Sequence, residues 1–207
     1  MYRLVGLFSW VFFKLFYRYK VEYECDPKSL PQGVIIAPNH TSYLDPPLVA
    51  GSWKGDLNFF AGSRLFKGWF LGRLLPRINC HPVVRGKERT TIRQAISLLK
   101  EGKNIVVFPE GTRSKDGELL ELKSGVAYIS FMTGCPIIPC YLEGTHKAWP
   151  RESKFPKLFC GSILCKFGKP LFPQGEGSRE DKDNLTKLLE DELKRLSITN
   201  PSKTEPF

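Results

Sequence analysis

The sequence predicts a single α/β domain. Short apolar runs bounded by proline, glycine and polar residues indicate buried strands, and segments with helical hydrophobic spacing lie between them. Two of these strands, 34–37 and 104–108, each lead into a proline and a polar loop. Loops at the carboxyl ends of strands are where α/β folds usually bind ligands. The two loops are therefore predicted to face one cleft.

The remaining elements alternate in the same way. Strands are predicted at 57–61, 137–142 and 162–167, and helices at 46–50, 64–77, 123–133 and 179–197. One more helix is predicted to start at Thr90 or Thr91, which would cap it, and to end before Gly102. No internal repeat or linker interrupts the pattern. One domain is therefore predicted over 21–198, with a frayed tail at 199–207.

The N-terminal segment 1–20 is predicted to be a helix that contacts a membrane. Residues 4–17 are mostly Leu, Val, Phe, Trp and Tyr, with cations before, inside and after the run. Fourteen helical residues reach about 21 Å, which is short of the roughly 30 Å hydrocarbon core. A helix lying in the interface fits better than a spanning one. An ordinary core helix is the alternative, and no small-residue cleavage site follows to suggest a signal peptide.

The charge of the chain predicts an anionic partner. The net charge is +10, and residues 62–103 alone hold ten Lys or Arg against two Glu, a net of +8. A phospholipid surface or a phosphorylated substrate would suit this field. Nucleic acid is the weaker interpretation, because no zinc-finger or RNA-binding signature accompanies the charge. The six cysteines are predicted to be free thiols in a reducing compartment, since each C-x4-C pair spans a strand and points to opposite faces.

His40 and Asp45 are candidates for acid–base chemistry in the first loop. A neutral imidazole can accept a proton near neutral pH, and a carboxylate on its other nitrogen would fix its tautomer. The two residues are five apart, so only a tight turn would bring their side chains together. Asp45 before Pro46 is also a good helix N-cap, with Ser42 at a capping-box spacing. Local chemistry alone leaves both interpretations open.

Two motifs resemble those of the glycerolipid acyltransferases. Asn39-His40-Thr41-Ser42-Tyr43-Leu44-Asp45 is similar to the NHx4D signature of that family, and residues 108–114, Phe-Pro-Glu-Gly-Thr-Arg-Ser, match its FPEGTRS block. Residues 62–86 and 136–139 resemble two further blocks, although Val84 stands where the family often has an acidic residue. The four motifs follow the order of the family over about half of the chain. The resemblance implies a central mixed sheet flanked by helices.

The resemblance also implies roles for individual residues. His40 and Asp45 would be catalytic, with His40 as general base, and no metal would be needed because a thioester is already activated. The substrate-binding residues would be Glu110, Gly111, Thr112, Arg113, Lys123 and Arg85. Arg113 is the first choice for a phosphate ligand because its planar fork suits phosphate oxygens. Glu110 is less clear, because a carboxylate beside a phosphate would repel it, and it would instead orient Arg113 or hold the loop.

The reaction implied is transfer of a fatty acyl group to the free sn-2 hydroxyl of 1-acylglycerol 3-phosphate (lysophosphatidic acid), which makes phosphatidic acid. Acyl-CoA or acyl carrier protein would be the co-substrate, with no further cofactor, at the cytoplasmic face of a membrane with anionic phospholipid. A His–Asp lipid or thioester hydrolase, an acyltransferase for another lysophospholipid or for glycerol 3-phosphate, and a non-catalytic membrane module stay as alternatives. Three interpretations are open for the predicted helix at 64–77. It would be a membrane-facing helix, the cover of an acyl tunnel, or a basic-rimmed core helix.

Overall fold

The computed structural model describes residues 2–84 and 86–198. Seven strands in this part of the chain form one sheet in the order β1-β7-β6-β2-β5-β3-β4. They are β1 (Arg18–Tyr23), β2 (Ile35–Pro38), β3 (Leu57–Gly62), β4 (Cys80–Val83), β5 (Asn104–Val106), β6 (Ile137–Glu143) and β7 (Ser162–Phe167). All neighbouring pairs are parallel except β6 and β7, which are antiparallel. The mixed sheet of the predicted α/β fold is therefore confirmed.

Helices cover both faces of this sheet. They are α1 (Tyr2–Phe16), α2 (Asp45–Ser52), α3 (Trp69–Arg77), α4 (Glu88–Lys100), α5 (Gly125–Thr133), α6 (Thr145–Ala148) and α7 (Arg179–Ile198), with a 3-10 turn at Ser63–Lys67. Ile36 and Val106 share one core cluster with side chains of α1 and α2. Ile35 and Ile105 share the other with side chains of α4, α5 and α7. The alternation of apolar residues along each strand thus fills two cores.

The two motif loops leave neighbouring strands at one edge of the sheet. β2 and β5 are parallel, with Ile35 opposite Ile105 and Ile36 opposite Val106, so their carboxyl ends lie side by side. The chain after β2 enters α2 on one face, and the chain after β5 enters α5 on the other face. The two loops therefore start side by side at the carboxyl edge of the strands, where α/β folds usually bind ligands and where the sequence predicted the site.

The N-terminal helix belongs partly to the core. α1 packs on α2, Phe13 is 1% exposed, and Gly51 lets the α1 backbone approach, because a Cβ there would lie 3.1 Å from the Trp10 nitrogen. β1 starts at Arg18 and pairs with β7 along six residues. The predicted domain boundary after residue 20 is therefore wrong, since it falls inside a strand. Within the part of the chain that the structure describes, no helix has the length and apolar composition needed to cross a membrane.

Other parts of the fold differ from the sequence predictions. Strands β1 and β4 were not predicted. Helix α4 starts at Glu88, two residues before Thr90, and has no side-chain cap. The predicted helix at 64–77 is divided at Gly68 into the 3-10 turn and α3. Neither piece has a fully buried side chain, and only Phe66 and Leu75 among the described residues of this segment pack against the core, as partly buried side chains. Arg85 and the predicted frayed tail at 199–207 lie outside the described residues.

Candidate active site

The loop between β2 and α2 brings His40 and Asp45 together. Nδ1 of His40 lies 2.9 Å from Oδ2 of Asp45. Because a carboxylate only accepts hydrogen bonds, Nδ1 carries the hydrogen, and Nε2 is the nitrogen that can take a proton. The His40 ring stacks on Phe108, with 3.9 Å between ring centroids, and 17% of the His40 side chain is exposed. This is the arrangement expected of a general base that solvent or substrate can reach.

Asp45 holds the loop as well as the imidazole. Its Oδ2 also accepts the backbone N–H groups of Thr41 and Ser42, each at 2.7 Å, and the residue is fully buried. The N-cap prediction for Asp45 is wrong, because α2 begins at Asp45 itself and Leu44 occupies the cap without a side-chain bond. The carboxylate therefore points back into the preceding turn, where it fixes the backbone directly after His40.

Glu110 joins the second loop to the first. Oε1 accepts the backbone N–H of His40 at 2.6 Å, and Oε2 accepts that of Leu120 at 3.0 Å. The backbone N–H of Ser114 in turn donates to the His40 carbonyl at 2.8 Å. Burial raises the pKa of Glu110 to about 7, against the opposing effect of the two N–H donors, while the charge of Asp45 raises it further. Of the roles left open by the sequence, this geometry supports holding the loop.

The cations of the second loop lie at its exposed side. Lys123 precedes α5 by two residues, and its backbone N–H donates to the Pro109 carbonyl at 3.0 Å. Gly111 has φ +70°, and a Cβ there would lie 2.8 Å from Nζ of Lys123. Glycine thus permits both the left-handed turn and the approach of the ammonium group. Thr112 is exposed and Arg113 is half-buried beside it. The structure therefore brings Gly111, Thr112, Arg113 and Lys123 together.

The Arg113 guanidinium lies on an aromatic ring of the first loop. Its Cζ is 3.5 Å from the centroid of Tyr43. Tyr43 also contacts Trp149, with 5.2 Å between ring centroids, and the Trp149 carbonyl accepts the Ser42 hydroxyl at 2.7 Å. Neither Tyr43 nor Trp149 was predicted from the sequence to be part of the site. The only signal for Tyr43 was an aromatic residue inside the histidine motif, and nothing local pointed to Trp149.

Asn39, also missed, fixes the start of the histidine loop to β6. Its Nδ2 donates to the Leu142 carbonyl at 3.2 Å, and its Oδ1 accepts the Leu142 N–H at 2.7 Å. Among the described residues, no group of three or more His, Cys, Asp or Glu side chains is placed to bind a metal ion. All six cysteines are free, with Sγ of Cys140 3.7 Å from Sγ of Cys165.

Comparison with known proteins gives one consistent result. A family model described as Acyltransferase matches residues 20–143, more than half of the chain. The chloroplastic 1-acyl-sn-glycerol-3-phosphate acyltransferase LPAT1 of Arabidopsis thaliana is 31% identical over 170 residues, 80% of this chain and 46% of that protein. The Bacillus subtilis 1-acyl-sn-glycerol-3-phosphate acyltransferase is 29% identical over 161 residues, 76% of each chain. This chain spans less than half of the length of LPAT1 and of the 1-acyl-sn-glycerol-3-phosphate acyltransferases of Brassica napus and Cocos nucifera.

A solved structure shares the whole architecture. The 1-acyl-sn-glycerophosphate acyltransferase PlsC of Thermotoga maritima has a TM-score of 0.76 and 27% sequence identity, and the match covers 96% of this chain and 80% of that one. The matched region of the family model contains both motif loops, with His40, Asp45, Glu110 and Arg113. On this evidence the chain belongs to the acyltransferase family.

Proposed function

We propose that this protein transfers a fatty acyl group from an acyl thioester to the sn-2 hydroxyl of 1-acylglycerol 3-phosphate, which makes phosphatidic acid. One observation carries the proposal: a His40–Asp45 pair is bound, through the backbone of His40, to the loop that presents Arg113. A base for the acceptor hydroxyl group and a ligand for the acceptor phosphate would thus lie on two loops that are hydrogen-bonded to each other. The names of the relatives described above point to the same reaction.

The pair has the groups that acyl transfer requires. Nε2 of His40 takes the proton of the acceptor hydroxyl as its oxygen attacks the thioester carbonyl carbon. The carbon–sulfur bond then breaks, and the thiolate recovers the proton from the imidazolium. Asp45 stabilises the imidazolium and keeps the ring oriented throughout. The acyl group passes directly to the acceptor, so no covalent enzyme intermediate is involved.

The second loop supplies the binding residues. Arg113 would take the phosphate of the acceptor, with Lys123 as a second cation near the start of α5, where the helix end also favours anions. Gly111 and Thr112 would let the backbone approach the ligand. We assign Glu110 to the same binding loop, acting through the backbone of His40. Arg85 would be a third phosphate cation, and its place in the site is a prediction from the sequence.

The direct test is product identification with the purified full-length chain. Two donors would be compared: acyl-CoA and acyl carrier protein, each carrying a labelled acyl group. Each donor would be incubated with 1-acylglycerol 3-phosphate, with glycerol 3-phosphate, with a lysophosphatidylcholine, or with no acceptor. We expect labelled phosphatidic acid from the first acceptor, with His40→Ala as the inactive control. Thiol release at the same rate without any acceptor would identify a hydrolase, and a product only from another acceptor would reassign the substrate.

A membrane surface is part of the proposal, because both lipid substrates reside there. Leu4, Phe8, Val11 and Leu15 are 71, 74, 46 and 65% exposed. At 100° per residue they fall within about 60° of one another and point away from the buried Phe13. A further exposed aromatic residue lies beside the end of α1: Phe159 in the loop after α6 is 72% exposed, and its ring centroid lies 5.4 Å from that of Phe16.

Exposed cations accompany exposed apolar side chains in two segments. Lys14 lies on α1 itself, and in the +8 segment at 62–103 the exposed Arg73 lies 5.2 Å from the ring of Trp69, which is 77% exposed. Apolar burial with electrostatic attraction to anionic headgroups is the usual basis of interfacial binding. We place the enzyme at the cytoplasmic face of such a membrane, where thiols stay reduced.

A further inference from the structure

Tyr43 forms a platform under the guanidinium of Arg113. The 3.5 Å distance from Cζ of Arg113 to the Tyr43 ring centroid is that of a cation stacked on an aromatic face. The two residues come from different motif loops, and Tyr43 lies three residues after His40. A stack of this kind fixes the plane of a guanidinium, and with it the directions of its N–H donors.

The platform is itself held in place by a segment outside the matched family region. The Tyr43 ring contacts Trp149, and Trp149 is fixed by its carbonyl bond with Ser42 and by an indole N–H that donates to Ser153 at 3.0 Å. Next to it, Nη1 of Arg151 donates to the carbonyl of Arg113 at 3.2 Å. The backbone and the side chain of Arg113 are therefore both positioned by neighbours.

Arg113 nevertheless keeps an unused donor. Its Nη1 is shielded from solvent and has no hydrogen-bond partner among the described residues. None of the ion pairs between described residues includes Arg113, and the nearby Glu110 carboxylate is occupied by two backbone N–H groups. An unpaired buried donor on a cation is unfavourable unless a ligand completes it. An anion at this mouth would do so.

We propose that Tyr43 is a positioning residue for acceptor binding, because its ring holds the Arg113 guanidinium in the plane in which Arg113 binds the phosphate monoester. This inference rests on the proposed function in taking Arg113 as the phosphate ligand. It adds a specificity determinant. A phosphate monoester offers the fixed fork three terminal oxygens and nearly two negative charges at neutral pH, whereas a phosphodiester headgroup offers two oxygens and one negative charge.

The test compares variants that keep or remove the ring. Tyr43→Leu removes the platform, and we expect the KM for 1-acylglycerol 3-phosphate to rise about two- to fivefold, the worth of a partly exposed cation–π contact. The KM for the acyl donor and kcat should change by less than about twofold, since His40 and its anchors are untouched. Tyr43→Phe keeps the ring and should restore the KM of the wild type. Tyr128→Leu is the matched control. Nζ of Lys182 lies 5.7 Å from the centroid of the Tyr128 ring, and this cation–aromatic pair involves neither motif loop.

A double-mutant cycle separates this role from a structural one. If Tyr43 acts through Arg113, Tyr43→Leu should not raise the acceptor KM further in an Arg113→Gln background. An equal rise in both KM values, a fall in kcat alone, or failure of Tyr43→Phe to restore binding would overturn the inference. If Tyr43→Leu does not fold, Tyr43→Met replaces it in the same cycle. No phosphatidic acid from the wild type would instead refute the proposed function, whatever Tyr43 does.

Discussion

Nδ1 of His40 and Oδ2 of Asp45 are 2.9 Å apart although a regular helix would separate the two side chains by about 140°. The turn between β2 and α2 makes the contact, and Oδ2 fixes that turn by accepting the N–H groups of Thr41 and Ser42. One carboxylate oxygen thus both shapes the turn and orients the base. Substitutions at the two positions should therefore have different effects.

His40→Ala should remove activity without unfolding the protein. The backbone N–H and carbonyl of residue 40 keep their bonds to Glu110 and Ser114 whatever the side chain. Loss of a general base typically lowers the rate by about 10²- to 10⁴-fold. Acyl-transfer rates and thermal unfolding curves of both proteins would show this. Activity close to that of the wild type would contradict the mechanism.

Asp45→Asn should lower both kcat and stability. The amide oxygen can take the place of Oδ2, but it lacks the negative charge, and hydrogen bonds to a charged group are each worth about 1.5–3 kcal/mol against about 0.5–1.5 kcal/mol between neutral groups. We expect the free energy of unfolding to fall by about 1–3 kcal/mol, as measured by urea denaturation. Asp181→Asn is the control, because Oδ2 of Asp181 accepts the N–H groups of Gly177 and Ser178 before α7. It should lose stability but keep kcat, and an equal loss of kcat would assign both effects to folding.

Arg113→Lys should weaken acceptor binding selectively. Lysine keeps the charge and can still lie over Tyr43, but it lacks the planar fork. The KM for 1-acylglycerol 3-phosphate should rise several-fold, while the KM for the acyl donor changes much less. Arg151→Lys is a useful comparison, since Arg151 donates a hydrogen bond to the backbone carbonyl of Arg113. Equal effects on both substrates would mean that Arg113 supports the loop and does not bind phosphate.

Glu110 predicts a pH dependence of stability. Its ordinary pKa of 4.5 is raised to about 7 by burial, so the folded protein binds this proton more tightly than the unfolded chain does. The folded state then holds more protons between these values, and the contribution of Glu110 to the free energy of unfolding falls as the pH rises from about 4.5 to about 7. Urea denaturation between pH 5 and pH 8 would detect this decline.

Glu110→Gln isolates the effect. Glutamine does not titrate, so the difference in unfolding free energy between wild type and variant should change across this window and level off above pH 7. The variant also loses one acceptor, for the N–H of either His40 or Leu120, which lowers its stability at every pH. Curves that stay parallel from pH 5 to pH 8 would show that Glu110 has an ordinary pKa in the fold.

The two strands that the sequence did not predict lie at the two edges of the sheet. In β1, exposed Arg18, Lys20 and Glu22 alternate with buried Tyr19, and the strand exists because β7 lies beside it more than 140 residues later. β4 contains Pro82, which disfavours a strand except at the edge of a sheet. β4 is such an edge, next to β3. Local patterns cannot supply either fact.

In the candidate site, too, contacts within one segment could be predicted and contacts between distant segments could not. The His40–Asp45 pair could be predicted because both residues lie within one short motif. For Glu110 the sequence left two roles open, because its partners are backbone groups of His40, 70 residues away, and of Leu120. The stack of Tyr43 on Arg113 likewise depends on β2 and β5 being neighbours. The sequence shows which side chains could act as bases or bind anions. Contacts between loops depend on the order of the strands in the sheet, which the sequence does not show directly.

The last prediction concerns the membrane, and the structure changes how it should be tested. Deleting residues 1–20 would remove Phe13, Tyr17 and Tyr19 from the core and part of β1 from the sheet, so loss of binding could reflect unfolding. Surface substitutions in the apolar stripe avoid this problem. A triple variant with Leu4, Phe8 and Leu15 replaced by Gln leaves Phe13 in place, and Leu188→Gln on α7, at a residue 54% exposed, is the control.

Vesicle co-sedimentation across a salt series separates the two contributions to binding. Attraction between cations and anionic lipid is worth about 1 kcal/mol per charge near the surface and is screened over roughly 8 Å at physiological salt and about 3 Å at 1 M. Burial of each large apolar side chain contributes about 1.5–3 kcal/mol and is not screened. The wild type and Leu188→Gln should therefore stay on vesicles in high salt and release only with detergent. The triple variant should bind only when anionic lipid is present and should dissociate as salt is raised. Release of the wild type by salt alone would show that the exposed stripe of α1 does not enter the bilayer.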